Sequence, residues 1–148
     1  MGKFRSFEEI NSWQKSRVFN KRIYQITDNL NFNFVRQIRR ASISIWSNIA
    51  EGFERNTDKE FIYFLYVAKA YAGEVRSQIY LALDLNYISL TEFTELLESI
   101  TEISKLLSGF ISYLKTAVKS WALRSDLLKI IIVISLAFWL STFDFKTK

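Results

Sequence analysis

The 148-residue chain has no cysteine, no histidine, no proline and only 4 glycines. The first two absences exclude disulfides, zinc sites built from thiolates or imidazoles, Cys-His and Ser-His-Asp nucleophile systems, and haem or iron–sulfur ligation through those groups. The bundle carboxylate metal sites that Glu51, Glu54, Glu60 and Glu74 bring to mind also want Glu-x-x-His pairs, which this chain cannot supply. A carboxylate pair working as acid and base needs a cleft that short interhelical corners do not provide. No catalytic residue, metal or cofactor is therefore expected, and the chain reads as a non-enzyme. What is present is apolar: 49% hydrophobic residues, with 13 Phe, 7 Tyr and 4 Trp, which rules out disorder and gives one domain a sizeable core. The N-terminus, Met1 to Glu9, turns acidic before any apolar run develops and so lacks the central apolar region of a signal peptide; a cytoplasmic protein is the expectation.

Hydrophobic periodicity predicts four helices before position 116. The first starts at a Ser6/Glu9 capping box and runs to about Asn29, with Phe19, Ile23, Ile26 and Leu30 on one stripe. The corner Asn29 to Asn33 is rich in turn formers. The second helix runs from about Phe34 to Arg55, carrying Phe34, Ile38, Ala41, Ile45, Asn48 and Gly52 on its stripe, Ile49 and Phe53 on a second apolar row and Trp46 on the opposite flank, a breadth that suggests contacts on two sides. A Thr57/Glu60 box opens the third, which runs to about Leu85 through Phe61, Phe64, Leu65, Ala68, Ala72, Val75, Ile79 and Ala82. A Ser89/Glu92 box opens the fourth, with Phe93, Leu96, Leu97, Ile100, Ile103, Leu107, Phe110, Ile111 and Leu114. Short corners between such helices predict an all-α, antiparallel, up-down-up-down four-helix bundle over residues 1–116.

Residues 117–148 form a hydrophobic C-terminal extension, expected to be helical and of open role. Its unbroken apolar run, Ile130 to Leu140, rises only about 17 Å as a helix, short of a bilayer crossing. Counted outward, 127–145 gives 19 residues but includes Lys129 and Asp144, a marginal membrane segment at best. Docking on another subunit and lying at an interface stay open beside it.

Charge is distributed unevenly. Residues 1–55 hold 10 Lys/Arg against 5 Asp/Glu, residues 56–116 hold 5 against 8, and residues 117–148 hold 5 against 2. The first hairpin is the positive one, and Lys15, Arg17, Lys21, Arg22, Arg36, Arg39 and Arg40 are placed to gather on it. Lys15, Lys21, Arg22, Arg36, Arg39 and Arg40 are the candidate nucleic-acid contacts, of the phosphate-attracting, salt-sensitive kind rather than base-reading. Two alternatives stand: these cations form a solvated face matched to the acidic third and fourth helices, or the surface recruits another protein. On helix 2, Asn48 with Glu51 and Arg55 suggests a structural polar network that fixes register. The tyrosines Tyr63, Tyr66, Tyr71, Tyr80 and Tyr87 suggest an amphipathic contact surface.

The run Gln37-Ile38-Arg39-Arg40-Ala41-Ser42-Ile43-Ser44-Ile45-Trp46-Ser47-Asn48-Ile49-Ala50-Glu51-Gly52-Phe53-Glu54-Arg55 resembles the hallmark segment of bacterial four-helix-bundle proteins encoded by intervening sequences in 23S ribosomal RNA genes, often labelled S23 ribosomal proteins. The likeness continues through Lys59 to Gln78 and Leu85-Asn86-Tyr87-Ile88, more weakly around Trp13-Gln14-Lys15, and covers roughly residues 5–115. Two departures are Trp46, where the family usually has proline, and Ala70-Tyr71, where it usually has Gly-Ser. The resemblance implies a cytoplasmic bundle that assembles as a homopentamer. It also implies kinship with the accessory variability protein of diversity-generating retroelements, which works with a reverse transcriptase and RNA. Self-association, RNA or DNA, and a reverse transcriptase or other protein are the partners it suggests; residues 117–148 fall outside it.

Overall fold

The computed structural model describes residues 4–28 and 30–143, with side chains through Ala137. A short 3-10 turn, Phe7–Glu9, precedes four α-helices: α1 Asn11–Ile26, α2 Phe32–Phe53, α3 Asp58–Asp84 and α4 Leu90–Phe143. Cross-helix pairs fix their directions. Trp13 meets Trp46 and Tyr24 meets Arg39, so α1 and α2 run oppositely. Phe53 on Phe61 and Phe34 on Tyr87 do the same for α2 and α3, and Phe61 on Phe110 with Tyr80 on Phe93 for α3 and α4. The salt bridges Lys15–Glu102 and Arg22–Glu95 close the ring, running α4 antiparallel to α1. Four helices thus share one seam, in which Ile23, Ile38, Ile45, Leu65, Ile79, Ile100 and Leu107 are fully buried. Ala41, Ala68 and Ala72 are buried between them, where small side chains let the backbones approach.

The caps decide the helix ends, and three sequence signals have three outcomes. Ser89 and Glu92 form a complete capping box: the Glu92 backbone N–H donates to Ser89 Oγ at 3.2 Å, and the Ser89 N–H donates to Glu92 Oε2 at 2.9 Å. Thr57 Oγ1 accepts from the Glu60 N–H at 3.2 Å, but the Glu60 carboxylate accepts a hydrogen bond from the Thr57 hydroxyl at 2.8 Å instead of reaching the cap N–H. Ser6 does not cap α1. It precedes the 3-10 turn without a side-chain cap bond, its hydroxyl holds the Glu8 carboxyl below the usual carboxylate range, and Glu9 accepts from the Arg5 N–H. Ile10, extended and 2% exposed, separates turn from helix because burying its side chain outweighs continuing the turn. Consequently α1 is shorter than the sequence suggests and ends at Ile26. Leu30 lies in the bend beyond it, and Asn29 lies outside the described residues.

Asn31 caps α2, accepting from the N–H groups of Asn33 at 3.0 Å and Phe34 at 3.4 Å, two residues earlier than expected. At the far end of α3 the chain turns through Asn86 at φ 55°. The Tyr87 N–H reaches the Ala82 carbonyl at 2.8 Å and the Asn86 N–H the Leu83 carbonyl at 2.9 Å. This 6→1 and 5→2 pair is the Schellman closure, with asparagine in the left-handed position usually taken by glycine.

Glu92 carries a pH signature. The Ser89 N–H, then the Ser89 hydroxyl, hold its carboxyl below the ordinary value, with Arg22 adding a smaller pull. A group whose folded pKa is depressed contributes stability that is present above the unfolded pKa and lost as pH falls through the folded one. Ser89→Ala is expected to cost about 1 kcal/mol at neutral pH and, because the Ser89 N–H remains, to flatten in part the decline of the urea midpoint as pH falls through the carboxylate range. An acid dependence identical to the parent's contradicts the assignment.

Contacts divide the chain into compact units Met1–Leu114 and Lys115–Lys148. Helix α4 does not end near 116; neither glycine nor proline occurs after Gly109, and helical backbone continues to Phe143. In the second unit every residue from Lys119 to Ala137 is exposed. Among the described residues, no helix is long and apolar enough to cross a membrane. The outer end of segment 127–145, and the flanking Lys146 and Lys148, lie outside the described residues.

Candidate nucleic-acid interface

The antiparallel α1–α2 hairpin carries all six candidate cations, but the fold gives them two different employments. Lys15 and Arg22, seven residues apart on α1, meet Glu102 and Glu95, seven residues apart on α4. The Lys15 Nζ lies 2.9 Å from Glu102 Oε1. The Arg22 guanidinium is bidentate, donating from Nε at 3.0 Å and Nη2 at 2.9 Å to the two Glu95 oxygens, a match that holds its pKa above the usual arginine value. Both pairs are largely solvent-exposed, so each is worth at most about 1 kcal/mol. These two residues realise the matched-face alternative: they sew the basic hairpin to the acidic N-terminal turns of α4, which carry Glu92, Glu95, Glu98 and Glu102.

Arg39 is also occupied. Its Nε donates to Thr27 Oγ1 at 2.9 Å and its Nη2 to the Tyr24 carbonyl at 3.1 Å, while the guanidinium sits 4.3 Å from the Tyr24 ring centre and 3.6 Å from the Asp28 carboxylate. Thr27 itself is buried and donates to the Ile23 carbonyl. Arg39 is therefore the clamp on the α1 C-terminus, where a cation also complements the helix dipole.

Lys21, Arg36 and Arg40 are exposed, and among the described residues no carboxylate pairs with them. Arg36 and Arg40 stand one turn apart on the side of α2 away from buried Ile38 and Ile45, and with Gln37 they line one shallow hollow. The Trp13–Trp46 and Tyr24–Arg39 contacts bracket the hairpin segment that contains Arg17 and Lys21 on α1 and Arg40 on α2. Arg17 is exposed, its guanidinium 5.9 Å from the Trp13 ring centre, and it belongs with this group. Its signal in the sequence was its place four residues before Lys21, off the Lys15/Arg22 face. Ile43, at the edge of exposure on α2, adds an apolar contact beside the cations.

The polar trio on α2 separates. Asn48 is half-buried and donates from Nδ2 to the Ser44 carbonyl of its own helix at 2.7 Å. Glu51 and Arg55 pair with each other in solvent, and Arg55 also lies 4.8 Å from the Phe64 ring centre. The buried place on this turn belongs to Ile49, so the proposed network is two local contacts. Trp46 faces α1 from the expected opposite flank and meets Trp13, the ring centres 5.6 Å apart and the planes tilted by 56°. Among the described residues no three acidic groups cluster to hold a metal ion. Of the tyrosines, Tyr63, Tyr66 and Tyr80 are exposed on α3, whereas Tyr71 and Tyr87 pack against the core.

Comparison with known proteins places this geometry. Residues 8–109 match the family described as 23S rRNA-intervening sequence protein. Among solved structures, the chain is similar to a protein of unknown function from the S23 ribosomal protein family of Bacteroides thetaiotaomicron. The two are 30% identical with a TM-score of 0.64, over 68% of this chain and 97% of the other. No curated protein matches.

Proposed function

The chain belongs to the 23S rRNA-intervening sequence protein family, and from that premise we propose that it is a non-enzymatic bundle that binds RNA or DNA through the outer face of its first hairpin. The observation that carries this reading is that Lys21, Arg36 and Arg40, with Arg17, are exposed cations that pair with no carboxylate among the described residues. Such a surface neutralises phosphates without reading bases, because no loop or sheet platform accompanies it to splay and stack bases. Lys15, Arg22 and Arg39 support the same face from behind by fixing α1 against α4 and α2.

The reading includes self-association as a homopentamer, supported by the exposed Tyr63, Tyr66, Tyr80 and Leu81 of α3 and its C-cap residue Leu85, an amphipathic surface of the kind found at subunit contacts. Multiple copies would present the basic hairpin several times and raise avidity.

A binding titration with RNA and duplex DNA across a salt series tests the proposal. The parent should bind at low salt and weaken steeply as salt rises. Arg36→Glu with Arg40→Glu should lower affinity at least tenfold, with similar losses across sequences. Absence of binding at low salt overturns the proposal, as does equal binding by the double variant; a nuclease-resistant protein partner recovered in its place identifies the basic face as a protein-docking surface.

A further inference from the structure

The second unit holds the longest run of consecutive exposed large hydrophobic side chains among the described residues, and the first hairpin's chemistry does not account for it. Ile130, Ile131, Ile132, Val133 and Ile134 are each more than half exposed. At 100° per residue these five consecutive positions face every direction around the helix, so one partner helix, which covers a single stripe, leaves most of them in water. The preceding turns differ. Lys119, Arg124 and Lys129 supply cations against one anion, Asp126, which lies 3.4 Å from Lys129. Trp121, Leu127 and Leu128 are interleaved with them, all exposed.

We propose that this helix docks the protein on an anionic lipid surface. The basic, tryptophan-bearing turns lie among headgroups and the Ile130–Ile134 segment enters the acyl region. Three observations converge on lipid. Apolarity on all sides needs a solvent that surrounds the helix; the cations stand immediately N-terminal to the apolar run, where headgroups meet hydrocarbon; and tryptophan suits that boundary. Length sets the depth. From Ile130 through Phe143, the last described position, the helix has 14 residues and rises about 21 Å, enough to enter one leaflet of about 15 Å.

Flotation of the full chain with phosphatidylcholine vesicles, with and without 30% phosphatidylglycerol, tests the proposal. Binding is expected with the anionic vesicles and much less with neutral ones. Ile132→Asp with Ile134→Asp should reduce it at least tenfold while leaving bundle helicity and nucleic-acid affinity unchanged. Replacing Lys119, Arg124 and Lys129 by glutamine should also reduce it more than tenfold, at about fivefold per charge. The aspartate pair keeps the basic hairpin intact, so it distinguishes tail insertion from simple attraction of the hairpin to anionic lipid. Failure of the parent to float, or undiminished floating of the aspartate variant, overturns the inference. So does a lipid-free parent whose oligomer shrinks in the aspartate variant without any vesicle binding, which assigns the apolar surface to contacts between copies.

Discussion

Phe61→Ala is expected to cost about 3–5 kcal/mol of folding free energy, the range for emptying a buried aromatic site. Phe61 is 2% exposed at the start of α3, where its ring stands edge-on to Phe53 of α2 at 5.9 Å and to Phe110 of α4 at 5.3 Å. Phe110 in turn meets Phe4 at 5.6 Å. Three helices thus meet at the Phe61 ring, and the N-terminal segment joins them through Phe110. Each edge-to-face pair adds about 0.5–1.5 kcal/mol beyond burial. Phe61→Leu, which keeps most of the volume, should lose far less. Urea unfolding of the three proteins decides it; a loss near 1 kcal/mol for the alanine variant contradicts this picture of the core.

Gly52 sits against the same joint and yields the second large effect, with an internal control. A β-carbon there would lie 2.5 Å from the Phe64 Cβ and 3.0 Å from the Phe61 Cδ2. The nearer atom is fixed to the α3 backbone, so a rotamer change cannot relieve the contact and α2 must move away from α3. Alanine gains about 1 kcal/mol over glycine in a helix, yet overpacking costs typically 1–3 kcal/mol and more where backbone must shift. Gly52→Ala should therefore destabilise by about 2 kcal/mol. At Gly73, within α3, an added β-carbon meets nothing within 4 Å, and the same substitution should stabilise by up to about 1 kcal/mol. Opposite signs in parallel urea unfolding curves are the expected result; a stabilising Gly52→Ala contradicts the close α2–α3 approach.

The parts of this fold that were legible in the sequence are those set by repetition. Leu65, Ala68, Ala72, Val75 and Ile79 recur at helical spacing and all point into the core, and Ser89 with Glu92 announced its helix because both halves of that cap are local. Ser6 with Glu9 had the same spacing and failed, because burial of Ile10 is a tertiary gain that no local pattern displays. Ser12, Ser16, Thr27 and Ser42 are buried although polar. Periodicity of apolar residues overlooks them, yet Ser16 and Thr27 bond carbonyls of their own helix and so enter the core satisfied. The run of α4 past Leu114 was obscured for the opposite reason: amphipathic patterning fades there while helix-forming backbone continues.

The basic face shows the same division. That the first hairpin is positive follows from counting; which cations remain available depends on what each side chain reaches across the bundle. The matched seven-residue spacings of Lys15/Arg22 and Glu95/Glu102 were a readable hint, once antiparallel packing of α1 on α4 is granted. Arg39 gave no such hint, since its partners include a backbone carbonyl and a hydroxyl at the end of α1.

That division between occupied and available cations is the central claim, and RNA affinity of two glutamine variants tests it most directly. Lys21→Gln/Arg36→Gln/Arg40→Gln removes the available set, and Lys15→Gln/Arg22→Gln removes the pair engaged by α4. The first should lose at least tenfold in affinity, flatten the salt dependence by up to about three phosphate contacts and unfold at the parent's urea concentration. The second should bind within about threefold of the parent while losing a little stability. Equal losses of affinity in the two variants, or a larger loss in the second, would contradict the account.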